Sequence, residues 1–412
     1  MAELFLGIDL GTSGARAIVL DRTGQVVGTG KSALSDHVGG PRSPATWWAA
    51  TRHAMRAALA EVASQDVVAL AVDGTSGTMV PIDAVGVPLS EGLMYNDACT
   101  DAGLLDRITA ASPATTAARG ATSGLARAVQ LLATAPARII HQADWISGQF
   151  SGSWVSDENN ALKTGYDPVS GHWPDWISDM IDPEVLPDVV APGTVVGQVG
   201  RNDFGLSPDC KVVAGTTDGC ASFLATGAKQ PGDGVSALGS TLTIKLLSEE
   251  PIFAPQFGIY SHKILGLWLA GGASNTGGQA LLVDFSREQI AGLSELIDPE
   301  TETGLSYYPL ARAGERFPIN DPDLAPVMGP RPDTDSLHLQ AMFEGIAAIE
   351  ELAYRRLAEL GAPVLRSVRS VGGGAANPVW TRIRERHLSV AMPEPLSGEA
   401  AYGTALLARS AL

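Results

Sequence analysis

A carboxylate followed at once by a hydroxyl-rich glycine turn stands close to the start of the sequence. The segment Asp9-Leu10-Gly11-Thr12-Ser13-Gly14 follows a short apolar run that is typical of a strand. Backbone N–H groups at such a turn can hold an anion, and hydroxyls add further donors. A carboxylate beside phosphate requires a cation between them, so Asp9 is a candidate Mg²⁺ ligand acting through water. An ordinary hairpin turn is the alternative. The candidate phosphate-binding residues here are Gly11, Thr12, Ser13 and Arg16.

A second carboxylate comes directly after another apolar strand. Residues 211–215 are followed by Thr216-Thr217-Asp218-Gly219 and then by a helical pattern. Asp218 could accept the proton of a substrate hydroxyl as that oxygen attacks phosphorus, since phosphoryl transfer depends mainly on positioning and charge neutralisation. The alternative is an aspartate that caps the helix.

Two further glycine turns could contact a nucleotide. Gly239-Ser240-Thr241 lies between two strand patterns and offers a second phosphate turn. The run Gly372-Gly373-Gly374-Ala375-Ala376-Asn377 follows a strand and precedes a helix, and bare backbone suits a flat adenine ring. A tight connection between strand and helix is the alternative. The candidate nucleotide contacts in this glycine run and the helix after it are Gly373, Gly374, Asn377 and Trp380.

Polar clusters at other predicted strand ends could hold a small polyol. They lie at 73–78 and 95–97, and ligands of open α/β sheets gather at such ends. Each residue could equally be a turn residue. The candidate sugar-binding residues are Ser76, Asn96 and Asp97, together with Asp9 and Asp218.

Charge and motifs restrict the class of protein. The net charge of −17 opposes binding to nucleic acid or to an anionic membrane. The sequence has no G-x-x-x-x-G-K-S/T loop and no protein-kinase glycine loop. Any bound nucleotide must therefore be held by local donors, which directs attention to the glycine turns.

The elements around these residues predict two α/β domains. With 412 residues, the chain is long for a single core. The strand–turn–strand pattern of 7–20 is repeated at 235–246, about half a chain later, which favours two similar domains over a short-period repeat. We expect domains at 1–224 and 225–398, with the last helix, 399–412, a candidate to return to the first. Residues 191–200 are interpreted as a connector.

Cysteine use and hydropathy indicate a cytoplasmic protein. Cys99, Cys210 and Cys220 lack metal-ligand or disulfide spacing, so we expect reduced, buried thiols. Charged residues within 1–20 argue against a signal peptide. No stretch reaches the roughly 18 apolar residues of a spanning helix. We expect a monomer or homodimer without nucleic-acid or membrane partners.

Four of these segments, in this order, resemble the FGGY family of carbohydrate kinases. They are 7–16, 214–219, 238–241 and 372–377. The resemblance implies two actin-like (ribonuclease H-like) ATPase domains with a central cleft that binds Mg²⁺-ATP and sugar. It also implies that Asp218 is the base, that Asp9 and Thr12 serve the metal and γ-phosphate, and that Gly373, Gly374 and Asn377 contact adenosine.

The substrate expected from the resemblance is D-ribulose, phosphorylated at O5. Residues 71–78, 142–145, 159–166 and 306–310 are most similar to the short D-ribulokinase branch, which is xylulose-kinase-like. Where xylulokinases carry Trp-Asn-Asp-x-Arg, this chain has Tyr95-Asn96-Asp97-Ala98-Cys99. The alternatives are D-xylulose, L-ribulose or glycerol as substrate, or a non-catalytic actin-like nucleotide-binding protein.

Overall fold

The chain folds into two units, described here from a computed structural model covering residues 3–412. The first unit contains the chain up to Ala225, together with His262–Leu265 and Glu399–Leu412. The second contains Thr226–Ser261 and Gly266–Gly398. The chain therefore passes back to the first unit twice after Ala225.

The first unit is organised around a six-stranded mixed sheet. Its order is β3-β2-β1-β4-β10-β9, with β1, β4 and β10 parallel. The strands of this unit are β1 (Leu4–Leu10), β2 (Gly14–Leu20), β3 (Val26–Ala33), β4 (Val67–Gly74), β5 (Met79–Ile82), β6 (Arg138–His141), β7 (Ser156–Asp157), β8 (Val189–Val190), β9 (Val195–Gln198), β10 (Lys211–Thr217) and, further along the chain, β13 (His262–Ile264). The expected connector at 191–200 is wrong in part, because β9 pairs antiparallel with β10.

Helices lie on both faces of this sheet, with α1 and α11 on opposite faces. The helices of the first unit are α1 (Pro44–Leu59), α2 (Ala102–Ala111), α3 (Gly124–Leu131), α4 (Gln142–Ser151), α5 (Glu158–Leu162), α6 (Asp218–Ala225) and α11 (Ala400–Ser410). Strand β1 is buried on both faces: Leu6 and Ile8 share a core with Trp47 of α1, whereas Phe5 packs with Ala408 of α11. This alternation follows from the two-residue period of a strand.

Close backbone contact fixes helix α11 on the sheet. A Cβ at Gly7 would lie 2.1 Å from the carbonyl oxygen of Ala401, and one at Gly403 would lie 1.9 Å from that of Ala221 in α6. Such distances exclude any side chain, so α11 lies against bare backbone on two sides.

The second unit contains a smaller sheet with the order β14-β12-β11-β15. Strands β11 and β15 are parallel, and the remaining pairs are antiparallel. The strands are β11 (Asp233–Leu238), β12 (Leu242–Ser248), β14 (Leu267–Ala273) and β15 (Ser367–Val371). The helices are α7 (Gly278–Leu281), α8 (Arg287–Ser294), α9 (Asp335–Glu359) and α10 (Pro378–Leu388).

A buried ion pair links this sheet to its helices. Arg384 of α10 donates to both carboxylate oxygens of Glu350 in α9, at 2.6 and 2.7 Å. Glu350 also accepts from Ser236 of β11, and Arg384 donates to Ser370 of β15. Both charged side chains have no exposed surface, so each needs the other as its partner.

The structure bears on two further sequence expectations. All three cysteines are buried, as expected. Within 3–412, no helix is both long and apolar enough to cross a membrane.

Candidate active site

Three carboxylates lie at the same edge of the first sheet. Asp9 is the penultimate residue of β1 and is paired in register with Asp73 of β4, which is paired in turn with Thr216 of β10. Asp218 follows β10 immediately and opens helix α6. Because carboxyl ends of parallel strands meet at one edge, residues from three distant segments converge there.

Asp73 and Asp9 form an acid–carboxylate pair. Asp73 is fully buried, and burial raises its pKa well above the ordinary value, with the charge of Asp9 adding to the effect. Both effects favour the protonated form of Asp73, and Thr404 of α11 donates to its Oδ2. Burial also raises the pKa of Asp9, while the bond from Asp73 and the guanidinium of Arg16 oppose that rise. Of the two carboxyl groups, Asp9 is thus the one that ionises more readily.

Asp218 is held in a defined orientation. Its Oδ1 accepts the backbone N–H of Gly219 at 2.7 Å. The side chain is half-buried at the first turn of α6. An oriented carboxylate at a strand end is chemically able to accept a proton from an alcohol.

The turn after Asp9 is closed by a backbone hydrogen bond. The N–H of Gly11 donates to the carbonyl of Gly14 at 3.0 Å. The side chains of Thr12 and Ser13 are exposed, and Arg16 bonds to Asp9 at 3.2 Å. A Cβ at Gly11 would lie 3.8 Å from the nearest atom, an ordinary contact, and its φ is not positive. The fold itself does not require glycine there, so the bare position suits a close-approaching ligand.

The second unit has a cavity of about 580 Å³ that brings two predicted glycine turns together. Gly239 and Ser240 line it from the β11–β12 hairpin, and Gly373 and Gly374 from the turn after β15. Thr241 is not among the lining residues. A Cβ at Gly373 would have no atom within 4 Å, and one at Gly239 would be 3.6 Å from the nearest atom. These glycines, like Gly11, form a cradle that side chains would fill.

Asn377 and Trp380 line the same cavity but are engaged within the protein. Asn377 is the N-cap of α10: its Oδ1 accepts the N–H of Trp380, and its Nδ2 donates to Ser294 at 2.8 Å. Trp380 stacks on Phe343 at 4.9 Å and lies under Gly374. Both residues position the glycine turn. The contact of Asn377 with adenosine stays a prediction, and in this structure its amide serves as the cap of α10.

The predicted polyol residues lie on loops joined by one buried arginine. Arg127 of α3 donates to the carbonyls of Gly77, Tyr95, Asp97 and Thr122 at 2.7–3.1 Å. Burial lowers the pKa of Arg127 to about 10, so the guanidinium stays charged at neutral pH. This residue therefore brings the 76–78 and 95–97 loops together.

The side chains on these loops differ in availability. The carboxylate of Asp97 accepts from Arg42 at 2.5 Å and from the N–H of Met94, so it holds its own loop. Asn96 is exposed. The Ser76 hydroxyl oxygen is buried and has no partner in the described part of the chain. Of the three, Asp97 fits a sugar ligand least well.

The family of this chain follows from two domain models that match its sequence. The model of the FGGY carbohydrate kinase N-terminal domain matches residues 4–113, and that of the C-terminal domain matches 234–412. The chain belongs to the FGGY family of carbohydrate kinases. It is therefore an ATP-dependent sugar kinase, and kinases of this family use ATP and typically a divalent metal.

Known relatives of the kinase agree with this assignment. It is 28% identical to a xylulose kinase of Streptomyces coelicolor, over 93% of this chain and 82% of that protein. It is 26% identical to a xylulose kinase of Streptomyces rubiginosus, over 96% and 85%. The solved xylulose kinase of Bifidobacterium adolescentis matches with a TM-score of 0.83 at 22% identity, over 99% and 92%. The expected two-domain, actin-like (ribonuclease H-like) fold is confirmed.

The residues present fit a phosphate-bound Mg²⁺ better than an all-protein site. Across residues 3–412, no group of three His, Cys, Asp or Glu side chains is arranged to hold a metal ion. Mg²⁺ in kinases usually keeps several waters and takes one or two carboxylates besides substrate phosphates. Asp9, which ionises more readily than Asp73, is suited to be such a carboxylate, and the ion would offset the charge of the phosphates.

Three residues of this site had no role predicted from the sequence. They are Asp73, Thr404 and Arg127. Asp73 had one usable signal, because it ends an apolar strand as Asp9 does. The pairing itself depends on strand register, and the role of Thr404 on the docking of a helix from the far end of the sequence.

Proposed function

We propose that this kinase phosphorylates D-ribulose at O5, giving D-ribulose 5-phosphate and ADP. The family assignment supports sugar phosphorylation, and the convergence of Asp9, Asp73 and Asp218 at one sheet edge is the observation that carries the mechanism. The resemblance of residues 71–78, 142–145, 159–166 and 306–310 to the D-ribulokinase branch supports the choice of sugar. The proposal includes a cytoplasmic location.

In the proposed reaction, Asp218 accepts the O5 proton as that oxygen attacks the γ-phosphorus. The O5–P bond forms, the bond from γ-phosphorus to the bridging oxygen breaks, and ADP leaves. Asp9 and Thr12 would hold the Mg²⁺ and the γ-phosphate, and the cavity with Gly239 and Gly373 would take the nucleoside end.

D-xylulose is the second candidate substrate. The Streptomyces relatives are both named xylulose kinases. The two sugars differ only in the configuration of one hydroxyl-bearing carbon. A single hydrogen-bonding partner for that hydroxyl would therefore distinguish them. Tyr95 and Cys99 replace Trp and Arg of the xylulokinase segment, so the sugar contacts of xylulokinases do not transfer directly to this chain.

A substrate panel tests the choice of sugar. Purified kinase is given ATP and Mg²⁺ with D-ribulose, D-xylulose, L-ribulose or glycerol, and kcat/KM is measured by ADP release. We expect D-ribulose to exceed D-xylulose by at least about tenfold, the range of one buried hydrogen bond. A larger kcat/KM for D-xylulose would assign that sugar instead.

Asp218→Asn tests the base. Because it keeps the size and the Gly219 contact but cannot accept the proton, it should lower kcat by about 10²–10⁴-fold. ADP affinity, measured by calorimetry, should stay within about threefold. Asp182→Asn is the matched control, since Asp182 also accepts a backbone N–H at a helix start but is exposed. Full turnover by Asp218→Asn would remove Asp218 from the mechanism. If the wild-type chain binds ADP but phosphorylates no sugar, it is a nucleotide-binding protein and not a kinase.

A further inference from the structure

The cavity of the second unit is lined mainly by apolar side chains and bare backbone. Leu281, Ile290 and Val379 provide apolar walls, and Gly373 and Gly374 expose backbone atoms. Such a surface holds a flat ring by contact area and shape. These properties are nearly the same for adenine, guanine and hypoxanthine.

The two polar side chains that could reach a base edge are paired with each other. Asn377 caps α10 through Oδ1 and donates from Nδ2 to Ser294 Oγ at 2.8 Å. Ser294 in turn donates to the carbonyl of Ile290 at 2.6 Å. The orientation of the Asn377 amide is therefore set by the helix cap and not by the ligand.

The remaining polar side chains provide little selectivity. Ser240, Gln279, Arg287 and Glu295 line the cavity and are exposed, so water replaces any contact that a wrong base fails to make. A hydrogen bond at such a site changes binding by about tenfold or less. Rejection by 10⁴-fold requires buried polar groups that a wrong ligand leaves unpaired. The buried indole N–H of Trp380 is a donor, and all three purines offer it the same N3 and N7 acceptors.

We propose that this kinase accepts purine nucleoside triphosphates with little regard to the base, so that GTP and ITP replace ATP within about tenfold. This inference rests on the proposed function. With GTP, the sugar oxygen bonds to the γ-phosphorus, the bond to the bridging oxygen breaks, and GDP leaves while Asp218 takes the hydroxyl proton. No further reactant is needed.

Two measurements on the full chain test the inference. Calorimetry with Mg²⁺ and ADP, GDP or IDP should give Kd values within about tenfold of one another. Mass spectrometry of the sugar phosphate, which reads every donor in the same way, should give kcat/KM values for ATP, GTP and ITP within the same range. A preference for the adenine nucleotide above tenfold in both measurements, or no binding of any purine diphosphate, would overturn base tolerance.

Variants identify the residues responsible. Asn377→Asp keeps the helix cap but removes the donor to Ser294, and the ADP-to-GDP affinity ratio should change by less than threefold. Ile290→Ala should weaken both ligands alike, because it removes apolar contact. A change in the ratio beyond threefold for Asn377→Asp would show that this side chain recognises the base, contrary to the proposal. If the diphosphates bind equally but no donor phosphorylates sugar, base tolerance stands and the proposed function fails.

Discussion

Two glycines in the first hairpin should respond in opposite ways to the same substitution. At Gly14, a Cβ would lie 2.4 Å from the carbonyl oxygen of Ser32 and 3.1 Å from Cα of Ala33. Ala33 is the register partner of Gly14 on β3, so Gly14→Ala pushes β3 away from β2. Overpacking of this size costs about 1–3 kcal/mol of unfolding free energy. If the nucleoside end binds in the cavity of the second unit, as proposed, ADP affinity should change little.

Gly11→Ala should leave stability intact and reduce catalysis. The new methyl would lie 3.8 Å from its nearest neighbour, and the φ of Gly11 suits alanine. Restricting the unfolded chain should even add about 0.4–1 kcal/mol of stability. If the γ-phosphate approaches this turn, a methyl group displaces it by about 1 Å, which can lower kcat/KM for ATP by about 100-fold.

The pair is measured by urea unfolding, followed by circular dichroism, and by steady-state kinetics with ATP and D-ribulose. Gly14→Ala serves as the stability reference, and Gly11→Ala as the test of the phosphate turn. Unchanged kcat/KM in a stable Gly11→Ala protein would show that this turn does not touch phosphate. A Gly14→Ala protein as stable as wild type would refute the close contact with β3.

Three further substitutions test the surrounding structure. Arg127→Met should cost about 3–5 kcal/mol of unfolding free energy, because it leaves four carbonyls without their shared donor. The same variant should raise KM for sugar more than KM for ATP. The control Arg107→Met, at an exposed position, should change the free energy of unfolding by less than about 0.5 kcal/mol. Burial, with the nearby charge of Asp144, raises the pKa of Asp157 to about 8. Between roughly pH 4 and 8, the folded protein therefore holds a proton that the unfolded chain has lost. The free energy of unfolding falls as the pH rises through this window. The free energy of unfolding of Asp157→Asn, relative to that of wild type, should therefore rise by up to about 1.4 kcal/mol per pH unit across that window. Unfolding curves at several pH values would measure this difference. Glu350→Gln should cost about 3–5 kcal/mol in urea unfolding, whereas Glu351→Gln, a largely exposed neighbour, should cost less than about 0.5 kcal/mol; equal effects would refute the buried ion pair.

Local patterns in the sequence predicted much of the scaffold. The apolar run at 67–72 predicted β4, and the repeat at 235–246 predicted the β11–β12 hairpin, because a strand between glycine turns is a local property. Residues 191–200 were misjudged because Pro192 and Gly193 suggest a loop, whereas β9 at 195–198 forms by pairing with a strand that follows it.

The unpredicted parts of the site depend on tertiary contacts. The sequence shows Asp73 at a strand end, but only the register between β1 and β4 sets it beside Asp9. Arg127 is charged, and charged residues are usually exposed, so its burial among four carbonyls could not be read from α3 alone. Asn377 was correctly placed at a helix start, yet its side chain has one orientation and the cap determines it.

The position of α11 has a consequence for biosynthesis. Ribosomes release residues 400–410 after the whole of the second unit, yet these residues cover Ile18, Leu20 and bare Gly7 in the first. While translation continues, the earlier unit therefore presents an uncovered apolar sheet face. Such a surface is prone to aggregation and is the type that chaperones bind. Maturation of the first unit thus waits for the synthesis of nearly all of the chain.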